Sequence, residues 1–228
     1  AKSAVAIQAI TMVAQETNAD LVDDCTDDKD VLVITPDYPS THNLYLCAFA
    51  HSRTQEYIAA GLNVQVAAIS QRTWYQSSYS IDGVPVFNGR YIDLKKLLSR
   101  HQYKVIVVHF ADEYLYPILE GYVQSERMIF ICHGPETTFR FLTNRCRPYF
   151  TKELPEIDQS SAFDRKEYYV KKFAQKENVE WVFVSEWLRD FSEKMMGIHF
   201  KNTHVIYNTI NEQLFPYHKK TADDRKKI

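Results

Sequence analysis

An α/β fold on a mostly parallel, doubly wound sheet of about seven strands is what this sequence predicts, and three observations carry that expectation. Short apolar runs recur at Val31–Thr35, Val64–Ile69, Lys104–His109, Arg127–Cys132 and Trp181–Val184, each unbroken enough to be buried on both faces. Amphipathic stretches with helical spacing lie between most of them. Strands that alternate with helices pair most simply as parallel neighbours.

The opening unit, Val31 to Gly61, sets the pattern. Val31–Thr35 reads as the first strand, and Pro36, Pro39, Ser40 and Asn43 break the run. Leu46, Phe49, Ala50, Tyr57 and Ile58 then recur near the helical period, and Gly61-Leu62 has the form of a helix C-terminus with an apolar clasp. The loop from Pro36 to Asn43 therefore opens at the carboxyl end of a central strand, where open α/β sheets bind ligands.

Ahead of that unit, Ala1–Ala14 reads as a short helix, too short to span a bilayer. A start without methionine suggests an excised piece or a further segment upstream. The acidic stretch from Asp20 to Asp30 reads as a solvated linker in preference to a metal site, so residues 1–30 form a helix and linker before the domain. The formal charge of −2 over 228 residues disfavours nucleic acid as a partner. Cys25, Cys47, Cys132 and Cys146 show no CxxC spacing, which fits reduced thiols in a cytoplasmic protein.

Further along, Gln71–Asp82 reads as a polar, tyrosine-rich excursion, and Gly83 starts a strand through Phe87. Tyr91, Leu94, Leu97 and Leu98 line one face of a helix before the strand ending at His109. Ala111–Tyr122 reads as helical, with Pro117 near its first turn or at a kink. His133 and Gly134 follow the strand Arg127–Cys132 directly.

From Pro135 to Asn178 the rhythm fails, and so long a connection is functional or mobile in most compact domains. It interleaves rings and cations: Phe139, Arg140, Phe141, Arg145, Arg147, Tyr149 and Phe150. A packed helix with exposed arginines, an arginine-lined site for an anionic acceptor, and peripheral contact with a membrane surface are its three readings. Asp164–Gln175 is helical in pattern. Trp181–Val184 then gives a strand, Ser185 stands at a helix N-cap, and Trp187, Leu188, Phe191 and Met195 read as the buried stripe of a helix ended by Gly197. Thr203–Tyr207 is the last strand, with Asn208 and Asn211 in the turn beyond.

The segments VFVSEWL, MMG, VIYNTIN and LFPY, with His133-Gly134 and the opening strand-loop-helix, resemble the N-terminal domain of family 4 retaining glycosyltransferases. The resemblance implies a Rossmann-like domain of the two-domain GT-B fold over residues 31–216, with 217–228 entering a C-terminal, donor-binding domain. It further implies sugar transfer from a nucleotide sugar to a glycan or lipid-linked acceptor, without metal or other cofactor. His133 matches the family histidine near the donor sugar. Gly134 would let the backbone approach a ligand closely. The family's paired glutamates lie in the second domain, so this polypeptide alone is expected to fold without turning over.

The match departs in the opening loop, where Ser40, Thr41, His42 and Asn43 replace the family's glycines. Amides of Leu44 and Tyr45 at a helix N-terminus would face a phosphate. Against this stand a plain cap role for Thr41 or Asn43 and an acceptor contact by His42. His109, Asp112, Ser185 and Asn208 are further substrate-binding candidates at strand ends, each with a simpler structural account as satisfied histidine, helix cap or turn former. No metal-ligand spacing joins the histidines. A dehydrogenase is disfavoured without GxGxxG after the first strand, and a serine hydrolase without GxSxG. A non-catalytic binding or scaffold module is the rival from another class.

Overall fold

The computed structural model describes residues 29–123, 125–138 and 160–208. Within them the strands are β1 (Lys29–Thr35), β2 (Val64–Ile69), β3 (Ser77–Ile81), β4 (Val84–Gly89), β5 (Tyr103–His109), β6 (Arg127–Cys132), β7 (Val179–Phe183) and β8 (Thr203–Val205). They form one open sheet in the order β3-β4-β2-β1-β5-β6-β7-β8. Every neighbouring pair is parallel except the edge pair β3–β4. Helices α1 (Ala48–Ala59), α2 (Tyr91–Leu98), α3 (Leu115–Leu119), α4 (Ser160–Phe173) and α5 (Glu186–Met196) connect them. The fold is α/β and Rossmann-like.

Alternation along each central strand builds two cores. Leu32, Ile34, Ile106, Val108, Met128, Phe130, Trp181 and Phe183 face one side, where α2, α3, α4 and α5 supply Leu94, Leu119, Phe173 and Leu188. Val31, Val33, Val105, Val107, Ile129, Ile131 and Val182 face the other, against Ala50 and Tyr57 of α1. Side chains of a strand point alternately to opposite faces, so a strand buried on both reads as a continuous apolar run. Each fully buried Leu, Ile or Phe contributes about 1.5–3 kcal/mol of transfer free energy. Phe130 stacks on Trp181 at 4.8 Å between centroids, anchoring the β6–β7 side.

Topology fixes where a ligand meets the sheet. The chain leaves β1 through α1 to β2 on one side, then returns through α2 from β4 to β5 on the other. The order therefore reverses between β1 and β5, and their carboxyl ends, Thr35 and His109, flank the switch point where such sheets bind ligands.

Several expectations need correction. Part of the polar excursion is β3, which closes a hairpin on β4 through Asp82 and Gly83, both at positive φ. Its alternation of serine with Tyr79 and Ile81 is that of an edge strand with one buried face, so the sheet has eight strands among the described residues. The opening helix starts at Ala48, after Cys47 in the left-handed region (φ 48°), leaving Leu44 and Tyr45 exposed ahead of it. Cys47 thus precedes the helix. The helical part of Ala111–Tyr122 is only Leu115–Leu119. Asp30 is no solvated linker residue: it lies in β1, pairs with Lys104 at 2.9 Å and accepts from the Asn63 amide at 2.8 Å.

The stripe on α5 is also shifted by one residue. Leu188, Ser192 and Met196 are buried, whereas Trp187 and Met195 are exposed and Trp187 stacks on Phe191 at 4.9 Å. The Ser185 cap, accepting from the Leu188 amide, sets the phase, and the small Ser192 lets the helix approach Thr137, whose hydroxyl lies 2.6 Å away. The helix over Ala1–Ala14, the acidic stretch before Lys29, Cys25, Cys146, the arginines and rings of residues 139–150, Asn211 and the segment 217–228 lie outside the described residues. Among those described, no helix is long and apolar enough to cross a membrane.

Candidate functional site at the carboxyl rim

Three strand ends converge beside the switch point. β5 delivers His109 and Phe110, β6 delivers His133 and Gly134, and the first turns of α1 bring Phe49 and Arg53 over them. His109 is fully buried, and its Nδ1 lies 3.0 Å from His133 Nε2, with the two rings stacked at 5.3 Å. Phe49 and Phe110 each pack on the His133 ring at 4.6 Å. Burial, followed by the positive Arg53, pushes His133 down to about 4. Burial, His133 and Arg53 in that order hold His109 well below the ordinary imidazole range. Both rings are neutral at pH 7.

Neutrality leaves two ways to share one proton between the rings. His109 Nε2 is buried without a partner, so a proton there would be an orphaned buried N–H, the rarer defect in native structures. The less costly arrangement makes His109 Nδ1–H donate to His133 Nε2. His133, half-buried, then carries its own proton on Nδ1, which makes no hydrogen bond among the described residues. His133 is thus a neutral donor at the rim.

Glu136 fixes the backbone of this site. Gly134, at φ 140°, opens a helical turn with Pro135 in its first position, and Glu136 reaches back from that turn. Its Oε2 accepts from the amides of His133 at 3.0 Å and Gly134 at 2.9 Å, and its Oε1 accepts from Phe110 at 3.1 Å. One buried carboxylate therefore ties the ends of β5 and β6 together. Burial raises its pKa, against the opposing effect of its own amide, the Gly134 amide, the positive Lys166 and the His133 amide.

Arg53 joins the site to the far edge of the sheet. Its Nη2 donates to Ile206 O at 3.2 Å and to Asn208 Oδ1 at 3.1 Å. Asn208 is thereby brought to the same rim as His109 and His133, as a holder of the chain leaving β8.

The remaining candidates fall elsewhere. Asp112 accepts from the amides of Tyr114 and Leu115 and from the Tyr91 hydroxyl, so it starts α3 and clips it to α2. Ser185 caps α5. Asn43 accepts from the Tyr45 amide in a local turn, and Thr41 caps no helix. Amides of Leu44 and Tyr45 do not stand at a helix N-terminus, which removes the geometry for holding a phosphate there. Arg140, Arg145 and Arg147 lie outside the described residues. Among the described residues, no cluster of three or more His, Cys, Asp or Glu side chains is set to hold a metal ion.

Ser40, Thr41 and His42 instead line a groove of about 760 Å³ at the carboxyl ends of β1, β2 and β4. Its walls are tied together. Tyr79 donates to Pro39 O at 3.0 Å, and His51 bridges the Tyr38 hydroxyl and Asp82, each at 2.9 Å. Sequence reading missed Arg53, Glu136 and the wall from Ser70 to Ser80. The acid two residues beyond Gly134 was the one available signal, since a carboxylate there can reach back to free amides at a helix start.

Compared with protein-family models, with curated proteins and with solved structures, the chain matches none of them.

Proposed function

We propose that this chain is the acceptor-side half of a retaining glycosyltransferase of the GT-B plan, which moves a sugar from a nucleotide sugar to a glycan or lipid-linked acceptor. The observation that carries the reading is His133: a half-buried imidazole, its pKa pushed down to about 4 by burial and Arg53, held at a strand's carboxyl end beside the switch point. Such a donor suits a sugar hydroxyl, and its low pKa keeps it from adding charge beside a departing diphosphate at pH 7. In the GT-B plan a second domain holds most of the nucleotide. Transfer is accordingly proposed for both domains together, and acceptor-side recognition for this one.

The transfer breaks the bond between the anomeric carbon and the diphosphate and forms one to an acceptor hydroxyl on the same face, the hydroxyl proton leaving with the diphosphate. The experiment is turnover by the two-domain protein, with UDP- and GDP-sugars offered alongside glycan and polyprenyl-phosphate acceptors. His133→Ala is expected to lower turnover about tenfold or more, the equivalent of one hydrogen bond worth about 1.4 kcal/mol in the transition state. Turnover unchanged by that substitution rejects the assignment.

A binding or scaffold module is the second reading, favoured by the packing of Phe49 and Phe110 against the His133 imidazole. Under it, no sugar nucleotide is turned over at all.

A further inference from the structure

The groove beside β1 has a composition unlike that of a phosphate site. Its charged groups are one carboxylate, Asp37, and one guanidinium, Arg72, with His42 between loop and solvent. Hydroxyls dominate the rest, and those of Thr41, Thr73, Ser78 and Ser80 make no hydrogen bond among the described residues. Free hydroxyls and balanced charge favour a neutral, hydroxyl-bearing ligand over an anion.

Rings complete the picture. Tyr75 lines the groove while 74% exposed, and Trp74 beside it is 93% exposed. Tyr45, the residue before the lining Leu46, is 90% exposed. An exposed ring in the wall of a polar groove, with a second exposed ring next to it in the chain, marks a recognition surface. Pyranose rings present a face of C–H bonds and an edge of hydroxyls, so they satisfy an aromatic platform and a hydroxyl-lined wall together. The volume, about 760 Å³, lies within the ~300–1,000 Å³ of small-molecule sites. The ties Tyr79–Pro39 and Tyr38–His51–Asp82 hold the walls in place before binding, which lowers the ordering cost.

We propose that this groove is a saccharide subsite, in which a neutral oligosaccharide lies with its rings stacked on Tyr75 and Trp74 and its hydroxyls on those of Thr41 and Thr73. It rests on the transferase reading in making the groove the acceptor's side of the cleft. Binding is nonetheless readable without any transfer.

Fluorescence reports it directly. Trp181 is fully buried, so in a Trp187→Phe background Trp74 is the one tryptophan left to respond to a ligand. The probes are maltohexaose, cellohexaose, chitohexaose and mannohexaose, with vesicles of phosphatidylcholine and phosphatidylglycerol as the lipid arm. At least one hexasaccharide is expected to shift Trp74 emission to the blue saturably. By calorimetry, Tyr75→Ala and Trp74→Ala are each expected to weaken binding about tenfold. Absence of a shift with all four sugars, a shift with vesicles alone, or binding indifferent to both ring substitutions overturns the subsite. Failure of the transferase reading looks different: hexasaccharides bind through Trp74 and Tyr75, yet no sugar nucleotide is turned over. Conversely, turnover indifferent to both ring substitutions sinks the subsite and leaves the transferase standing.

Discussion

His109 Nδ1 and His133 Nε2 share a single proton across 3.0 Å, and burial together with Arg53 keeps both rings neutral. The pair is sensitive to acid. Folded His133 titrates at about 4, and an unfolded imidazole at ~6.5, so between these values the unfolded chain binds the extra proton and the folded chain does not. Stability held by the neutral ring is complete above pH ~6.5 and is lost as pH falls towards 4, up to roughly 3 kcal/mol. His109, also depressed, acts in the same direction. Urea midpoints from pH 7 to 4.5 should therefore fall more steeply for the native chain than for His133→Phe. Parallel curves would sink the account of both rings.

Glu136 gives a second expectation. Its carboxylate is the shared acceptor for the amides of Phe110, His133 and Gly134, and Glu136→Ala leaves all three without it. Each unmet buried donor costs about 1–3 kcal/mol, so a loss of roughly 3–5 kcal/mol is expected after partial relaxation. Glu136→Gln retains one oxygen acceptor and should lose less than half of that. Chemical denaturation of the two variants checks the order, and equal losses would mean that side-chain volume matters here and amide pairing does not.

Much of the fold was legible because burial on both faces writes itself as unbroken apolar runs, as in VLVIT and RMIFIC. β3 was not, since one buried face leaves only Tyr79 and Ile81 among serines. The site was half legible. Strand ends announced His109 and His133, but Arg53 sits mid-helix, 155 residues from the Asn208 it holds, and only topology brings them together. Trp187, Phe191 and Met195 misled because their spacing is helical, while the phase of α5 is set by the Ser185 cap and the close approach at Ser192.

Gly197 was legible for a conformational reason, which yields a third expectation. It ends α5 at φ 65°, with nothing within 4 Å of where a Cβ would stand, so Gly197→Ala meets backbone strain and no clash. The cost should be about 1 kcal/mol by thermal or urea unfolding. A much larger loss would mean that the turn is packed more tightly than its open surroundings indicate.

Arg53 supplies the last expectation, because it acts on charge and on architecture at once. Its guanidinium makes no ion pair among the described residues, although the side chain is only 8% exposed. The two bonds to Ile206 O and Asn208 Oδ1 hold the chain leaving β8, and the uncompensated charge opposes protonation of His133. Arg53→Leu keeps apolar bulk on α1 and removes both effects. Burial, the larger cause, remains, so the His133 titration followed by NMR should rise above about 4 without reaching the ordinary imidazole range. Amide exchange along β8 should quicken at the same time, reflecting a loss of roughly 1–3 kcal/mol of local stability. A His133 pKa unmoved by the substitution would show that the guanidinium field does not reach the rim. Faster exchange in β8 with that pKa unmoved would reduce Arg53 to a strut between helix and strand.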